Sequence, residues 1–153
     1  PMSTQVFNLS PQTNSVVFDD YDEAQAYAKE HNKPIFVDFT GYGCVNCRKM
    51  EASVFVDDRV KEILDKEFVV VTLHVDDKTA LPAPLVVEEY GKSVTLETYG
   101  DKWSYLQRYK FGANAQPYYI LLSSEGKPLT SPYGYNEDVE KFVEFLNKGV
   151  SKR

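Results

Sequence analysis

The 153-residue chain has only two cysteines, Cys44 and Cys47. A disulfide-scaffolded small protein spreads several cysteines along its length, so that class is excluded. A bridge across so short a loop also constrains the unfolded chain weakly. The pair is therefore a poor structural staple. Histidines are equally scarce, with only His31 and His74 present. A structural zinc site takes four ligands, and neither histidine has a paired spacing that would complete one. His31 is expected to cap a helix end and His74 to be a satisfied residue within a buried strand. Cysteine-protease chemistry would need a Cys–His couple, and no spacing brings His74 to Cys44. Excess positive charge is missing too: 17 Lys and Arg face 23 Asp and Glu, for a net charge of −6. The basic footprint of a nucleic-acid binder is absent, and anionic lipid would be repelled. Runs such as Phe68-Val69-Val70-Val71 are too short to span a bilayer. No signal peptide opens the chain, and Pro1-Met2-Ser3 reads as a trimmed start.

What is present suits one soluble domain over residues 1–153. Hydrophobic residues make up 42% and charged residues 26%, with 11 Tyr and 9 Phe. That supply of apolar bulk argues against disorder and for a real core.

Residues from about Thr4 to Phe18 read as an extended lead-in, with Val6, Phe7, Val16, Val17 and Phe18 as strand residues. Asp19 and Asp20 mark a helix start, because Asp accepts from free backbone N–H groups. Ala24, Tyr27, Ala28 and His31 recur at helical spacing until Asn32-Lys33-Pro34 ends the pattern. Ile35 to Phe39 is a nearly continuous apolar run, the mark of a strand covered on both faces. Thr40 to Gly43 forms a turn. Cys44 to about Val54 and Asp57 to Lys66 read as helical, and Phe68 to Val75 as a second buried strand. Residues 76–115 hold Pro82, Pro84, a short strand at Val94–Thr98 and a helix at Asp101–Phe111. They are expected to form an insertion flanking the site. Tyr118 to Leu122 is a strand, Glu125-Gly126-Lys127 a turn, and Pro128 to Tyr133 a further edge strand in an antiparallel hairpin. A closing helix starts near Asn136 and carries Val139, Phe142, Val143 and Leu146 at helical spacing. Early alternation calls for parallel crossovers and the later hairpin for antiparallel pairing. A mixed central sheet with helices on both faces, an α/β fold, satisfies both.

Cys44-Val45-Asn46-Cys47 follows a buried strand and opens a helix. Free N–H groups and the helix dipole favour negative charge there. A Cys44 thiolate is thereby stabilised below the free value of ~8.5, and thiolate is the form that attacks disulfides. Cys44 is the candidate nucleophile and Cys47, one turn in, the resolving thiol. Arg48 and Lys49 stand close enough to add positive charge or to face solvent. Asp38, in an apolar strand, is costly to bury as a charge. Its pKa should rise, which suits proton exchange with Cys47.

Phe36-Val37-Asp38-Phe39 and Cys44-Val45-Asn46-Cys47-Arg48-Lys49-Met50-Glu51 together resemble the thioredoxin family. Within it they are most similar to the carboxy-terminal periplasmic domains of the DsbD membrane disulfide reductases. The resemblance spans roughly residues 20 to 150 and implies a thioredoxin fold with an N-terminal extension, residues 1–18, and an insertion before a cis-proline at Pro117. It implies a buried acid at Asp38, a second tuning acid at Glu51, and a substrate groove at Pro117 where Gln116 backbone pairs with an extended partner strand. It further implies a periplasmic reductase that takes electrons from a fused membrane unit, in electron transport of the kind serving cytochrome c biogenesis. Other thiol-disulfide proteins would be its partners, and no diffusible cofactor is needed. Two departures stand out. Tyr42-Gly43 replaces the usual Trp before the first cysteine, leaving Tyr42 to supply the aromatic rim. Gln116 is more polar than the usual aliphatic residue. A free-standing periplasmic thioredoxin and a binding module without turnover are the alternative readings. Cysteine-dependent insulin reduction separates the last from a redox enzyme.

Overall fold

The computed structural model describes residues 4–10 and 13–153, with side chains described from Val16 onward. Pro1-Met2-Ser3 and the side chains of Val6 and Phe7 lie outside the described residues. In chain order the elements are β1 (Thr4–Ser10), β2 (Thr13–Phe18), α1 (Tyr21–His31), β3 (Ile35–Thr40), α2 (Val45–Ser53), α3 (Asp58–Glu67) and β4 (Val69–His74). They continue with β5 (Ala80–Glu89), β6 (Lys92–Thr98), α4 (Tyr99–Phe111), β7 (Tyr118–Leu122) and α5 (Val139–Lys152).

The main sheet runs β1-β2-β4-β3-β7. β4 pairs in parallel with both β2 and β3, while β7 joins β3 antiparallel. Side chains alternate across a strand, so β3 feeds both faces. Ile35, Val37 and Phe39 enter a core with Phe18, Ala24, Ala28, Trp103 and Ile120, under α1 and α4. Phe36 enters the other, with Met50, Val54, Val60, Tyr119, Phe142 and Leu146, under α2, α3 and α5. Phe36 is stacked against Tyr119 and edge-on to Phe55 and Phe142. This is the mixed sheet with helices on both faces that the sequence predicts.

The helix boundaries follow local chemistry. The Asp20 carboxylate caps α1 by accepting from Glu23 N–H at 3.1 Å, and Asp57 and Asp138 do the same for α3 and α5. α4 opens with a reciprocal capping box between Thr98 and Asp101. It closes at Gly112, whose φ of +64° lets the chain turn left-handed. His31 accepts the expected place in the last turn of α1, with Nδ1 2.9 Å from the Tyr27 carbonyl oxygen.

Several expectations need correction. The lead-in is not one strand but a β1–β2 hairpin. Ala80–Glu89 forms β5, a ten-residue strand paired antiparallel with β6. Pro82 and Pro84 hid it, because proline cannot donate to a ladder; the register shifts between Ala80 and Leu85, where they lie. α4 lies on the main sheet, so in 76–115 only the hairpin forms a separate two-stranded sheet. Pro128–Tyr133 makes isolated bridges to β7, at Leu122–Pro128 and Tyr119–Tyr133, instead of a strand. Pro128 and Pro132 lack the N–H groups that would complete its ladder. The last helix begins at Val139, three residues after Asn136, with Asp138 as its cap.

Candidate active site

β3 and β4 are parallel neighbours, with Thr40 opposite His74. Their C-terminal ends therefore open on the same edge, where loops of an α/β sheet gather ligands and chemistry. The loop leaving β3 carries Tyr42, Gly43 and Cys44 into α2. The loop leaving β4 carries Asp76 and Asp77.

Cys44 is the N-cap of α2, and its Sγ accepts the Cys47 N–H at 3.2 Å. The two cysteines are joined as a disulfide, with Cα atoms 5.2 Å apart. Cys44 is partly exposed, whereas Cys47 is only 2% exposed. Exposed Val45 and Tyr42 give the surface around Cys44 an apolar rim.

Asp38 shares the β3 face with Phe36 and so points into the layer beneath α2. Its Oδ1 is buried and has no hydrogen-bond partner among the described residues. Burial pushes the carboxyl up to about 7; the negative charge of Glu51 adds to the rise and Arg48 opposes it. An acid that titrates near neutrality in the layer beneath α2 can accept or return one proton there. Opposite Asp38 in register is Tyr119, whose hydroxyl is also driven upward, first by burial and then by the Asp38 charge.

Arg48 is not simply facing solvent. Its guanidinium pairs with Glu51 at 2.9 Å and donates to Thr40 Oγ1 and the Gly41 carbonyl, each at 3.2 Å. It thus ties α2 to the end of β3. Glu51 is half exposed, and its charge reaches the site through Asp38.

Gln116–Pro117 is a cis peptide bond, and Pro117 is buried. Gln116 is fixed from behind. Its Nε2 donates to the Oε1 of Gln107, a fully buried α4 residue whose own Nε2 donates to the Ala115 carbonyl at 2.8 Å. The residues expected to form a substrate groove, Tyr42, Gly43, Gln116 and Pro117, lie on loops leaving β3 or entering β7, which pair directly.

Sequence reasoning missed three contributors. Asp76 accepts from Tyr42 N–H at 2.9 Å and from Gly43 N–H at 3.0 Å, pinning the turn before Cys44. Burial works against its ionisation, but these N–H groups outweigh it and hold the carboxyl below its usual range. His74 is the last residue of β4, a strand residue as expected, and is half-buried. Its ring stacks on Tyr42, with centroids 3.9 Å apart. Burial lowers its pKa, and the charge of Asp76 opposes that shift. Gln107 is the third. The available signal for Asp76 and His74 was topological: whatever follows β4 must lie beside whatever follows β3.

No curated protein sequence matches the chain. Solved structures do. "DsbH oxidoreductase" superposes with a TM-score of 0.65 at 19% identity, covering 88% of this chain and 84% of that one. The oxidised DsbD C-terminal domain of Neisseria meningitidis gives 0.59 at 19% identity, covering 90% and 99%. A thioredoxin from Thermus thermophilus gives 0.58 at 20%, covering 85% and 83%. The family model described as thioredoxin-like domain matches residues 21–149. With that match over most of its length, the chain belongs to the thioredoxin-like domain family.

Proposed function

We propose that the protein is a thiol-disulfide oxidoreductase acting as a reductase through Cys44 and Cys47. One observation carries the reading: a partly exposed Cys44 at the start of α2, its sulfur accepting a helix N–H, joined to a buried Cys47.

In the reduced form the Cys44 thiolate attacks a partner disulfide. A mixed disulfide forms, and the first partner sulfur leaves as thiolate and takes a proton. Cys47 then gives its proton to Asp38, and its sulfur attacks Cys44 Sγ. The Cys44–Cys47 bond forms, the mixed disulfide breaks, and the second partner sulfur leaves as thiolate. Two electrons have passed to the partner, and Asp38 returns the proton to solvent or product. Glu51 tunes Asp38 through its charge. Pro117 and the Gln116 backbone present the groove, with Tyr42 and Gly43 as its opposite rim. The cysteine pair carries the electrons itself, so no diffusible cofactor is required.

The resemblance to the DsbD domains supports a periplasmic setting, a membrane electron donor within a longer protein, and thiol-disulfide partner proteins. Among the described residues no helix is long and apolar enough to cross a membrane, so such a donor unit would lie elsewhere. A dithiothreitol-coupled insulin assay tests the activity, and Cys44→Ser should abolish it. Redox titration tests the direction. A potential near that of thioredoxin, about −270 mV, supports a reductase, and one near −120 mV refutes it. Cys47→Ser should trap partners as mixed disulfides, and identifying them names the acceptors.

A further inference from the structure

A cleft of about 770 Å³ opens between the start of α1, the exit of β4 and the β5–β6 hairpin. Its volume lies in the range of sites that enclose a ligand or several side chains. The floor is apolar and aromatic: Phe18, Trp103 and Tyr99 meet Leu81, Pro82 and Leu85 of β5. The disulfide chemistry uses none of these residues. Yet Tyr42 and His74, the stacked pair beside Cys44, also line the cleft. A chain seated there reaches the rim of the redox site.

The rim has a sign. Asp19, Asp20 and Glu23 stand at the head of α1, and Asp77 faces them from the exit of β4. Among the described residues the lining holds one cation, Lys102, which lies 4.0 Å from Asp22 and over the Trp103 ring. An apolar floor under a carboxylate rim fits one kind of occupant well. Lysine and arginine lay their aliphatic stems on apolar surface and keep their charge at the edge. A purely apolar segment would strip water from the rim carboxylates and bring them no opposite charge. An acidic segment, or a small disulfide bearing carboxylates, would be repelled.

We propose that this cleft docks disulfide partner proteins through a segment carrying lysine or arginine next to an apolar side chain, steering basic substrates toward Cys44. The inference rests on the redox reading above and adds a substrate class to it.

Two synthetic peptides test it, each with one internal disulfide and identical except for Lys-Leu-Lys or Glu-Leu-Glu in the flank. At low salt the lysine peptide should be reduced with a kcat/KM roughly 10-fold higher, the scale expected of electrostatic steering. About 0.5 M NaCl should remove most of that preference. Glu23→Lys should cut the preference to about 2-fold, since it reverses one rim charge. Glu144→Lys, the same charge change on α5 across the sheet, should leave it intact. Leu85→Ser, at a partly exposed floor position, should raise KM for the lysine peptide without lowering kcat. Equal kcat/KM for the two peptides in the native protein overturns the proposal, as does an equal loss of preference in Glu23→Lys and Glu144→Lys. Neutral hydroxyethyl disulfide separates the two readings. Its reduction at an unchanged rate in every variant leaves the redox activity standing whatever the peptides show; failure of the native protein to reduce it sinks the redox reading itself.

Discussion

Gln107, wholly buried on α4, accepts a 3.0 Å hydrogen bond from the side chain of Gln116, the residue before the cis proline. With its own amide on the Ala115 carbonyl, it anchors the loop that leads into the cis Gln116–Pro117 bond. A fully buried polar side chain persists only when paired in this way. Gln107→Leu keeps the volume but strands the Ala115 carbonyl and the Gln116 amide. The expected cost is about 1–3 kcal/mol, read as a lower urea midpoint at constant m. Gln116→Ala should cost less, because the second Gln107 bond survives. Since Gln107 acts through Gln116 and does not touch the sulfurs, its loss should raise KM for a peptide disulfide more than it lowers kcat.

Asp38 makes stability depend on pH in a definite direction. Its carboxyl titrates near 7 when folded, against an ordinary 3.8, because burial penalises the charged form. Below the ordinary value both states are protonated and the penalty is absent. Between the two values the folded state keeps a proton the unfolded state has lost, so stability falls as pH rises, and the loss is complete once the folded carboxyl ionises. The native protein should therefore be more stable at pH 5 than at pH 8. Asp38→Asn should flatten that slope and exceed the native protein at pH 8 by about 2 kcal/mol, allowing for water reaching the charge. Urea titrations at both pH values decide it. An unchanged slope in the variant would show that Asp38 is solvated. Under the proposed proton exchange with Cys47, the same variant should slow reduction of insulin most near neutrality.

The order of legibility follows physical cause. β3 and β4 announced themselves because strands covered on both faces must be apolar throughout. Cys44 was readable as a helix N-cap because a buried strand, a turn and a helical stripe flanked it. β5 was not readable, since Pro82 and Pro84 erase the usual strand pattern and its residues are mostly exposed. The hairpin is built on its partner β6 and on the Arg108–Glu89 ion pair at 2.7 Å, a contact across 19 residues that no local pattern encodes. Gln107 and Asp76 failed for the same reason. Each looks like an ordinary polar residue, and its role appears only when a parallel strand pair or a packed helix brings a distant loop to it.

Asp76 offers a direct check on that last point. It holds the Tyr42 and Gly43 N–H groups one turn ahead of the nucleophile. Asp76→Ala removes both acceptors and should cost about 1 kcal/mol, a modest figure because the residue is exposed and water replaces part of the loss. The native carboxyl is held below its usual range, so its contribution is present above the ordinary carboxylate pKa and fades as pH falls through the folded value. The gap between native and variant midpoints should therefore shrink toward pH 3. Amide exchange at Tyr42 and Gly43 should quicken while the core strands stay protected. Unchanged exchange there would show that the turn is held by something else.

The sharpest steric prediction concerns Gly100, at the start of α4. A Cβ there would sit 2.7 Å from the Asp77 N, the Asp77 O and the Val75 O. All three are backbone atoms, so no side chain can swing aside to relieve the clash. The close approach is itself stabilising, because Gly100 N–H donates to the Asp77 carbonyl at 2.9 Å and Tyr99 N–H to the Thr79 carbonyl at the same distance. These bonds lash α4 to the exit of β4, the loop that carries Asp76 and Asp77. Gly100→Ala must push the two apart, and a loss of about 2–4 kcal/mol is expected, well beyond a surface substitution. Gly134→Ala is the matched comparison, since a Cβ there meets nothing within 4 Å; its midpoint should shift by no more than about 0.5 kcal/mol. Because the displaced loop pins the turn before Cys44, Gly100→Ala should also lower insulin reduction at temperatures where the variant is still folded by circular dichroism. A Gly100→Ala protein with native stability would mean that α4 is not seated against β4 as described.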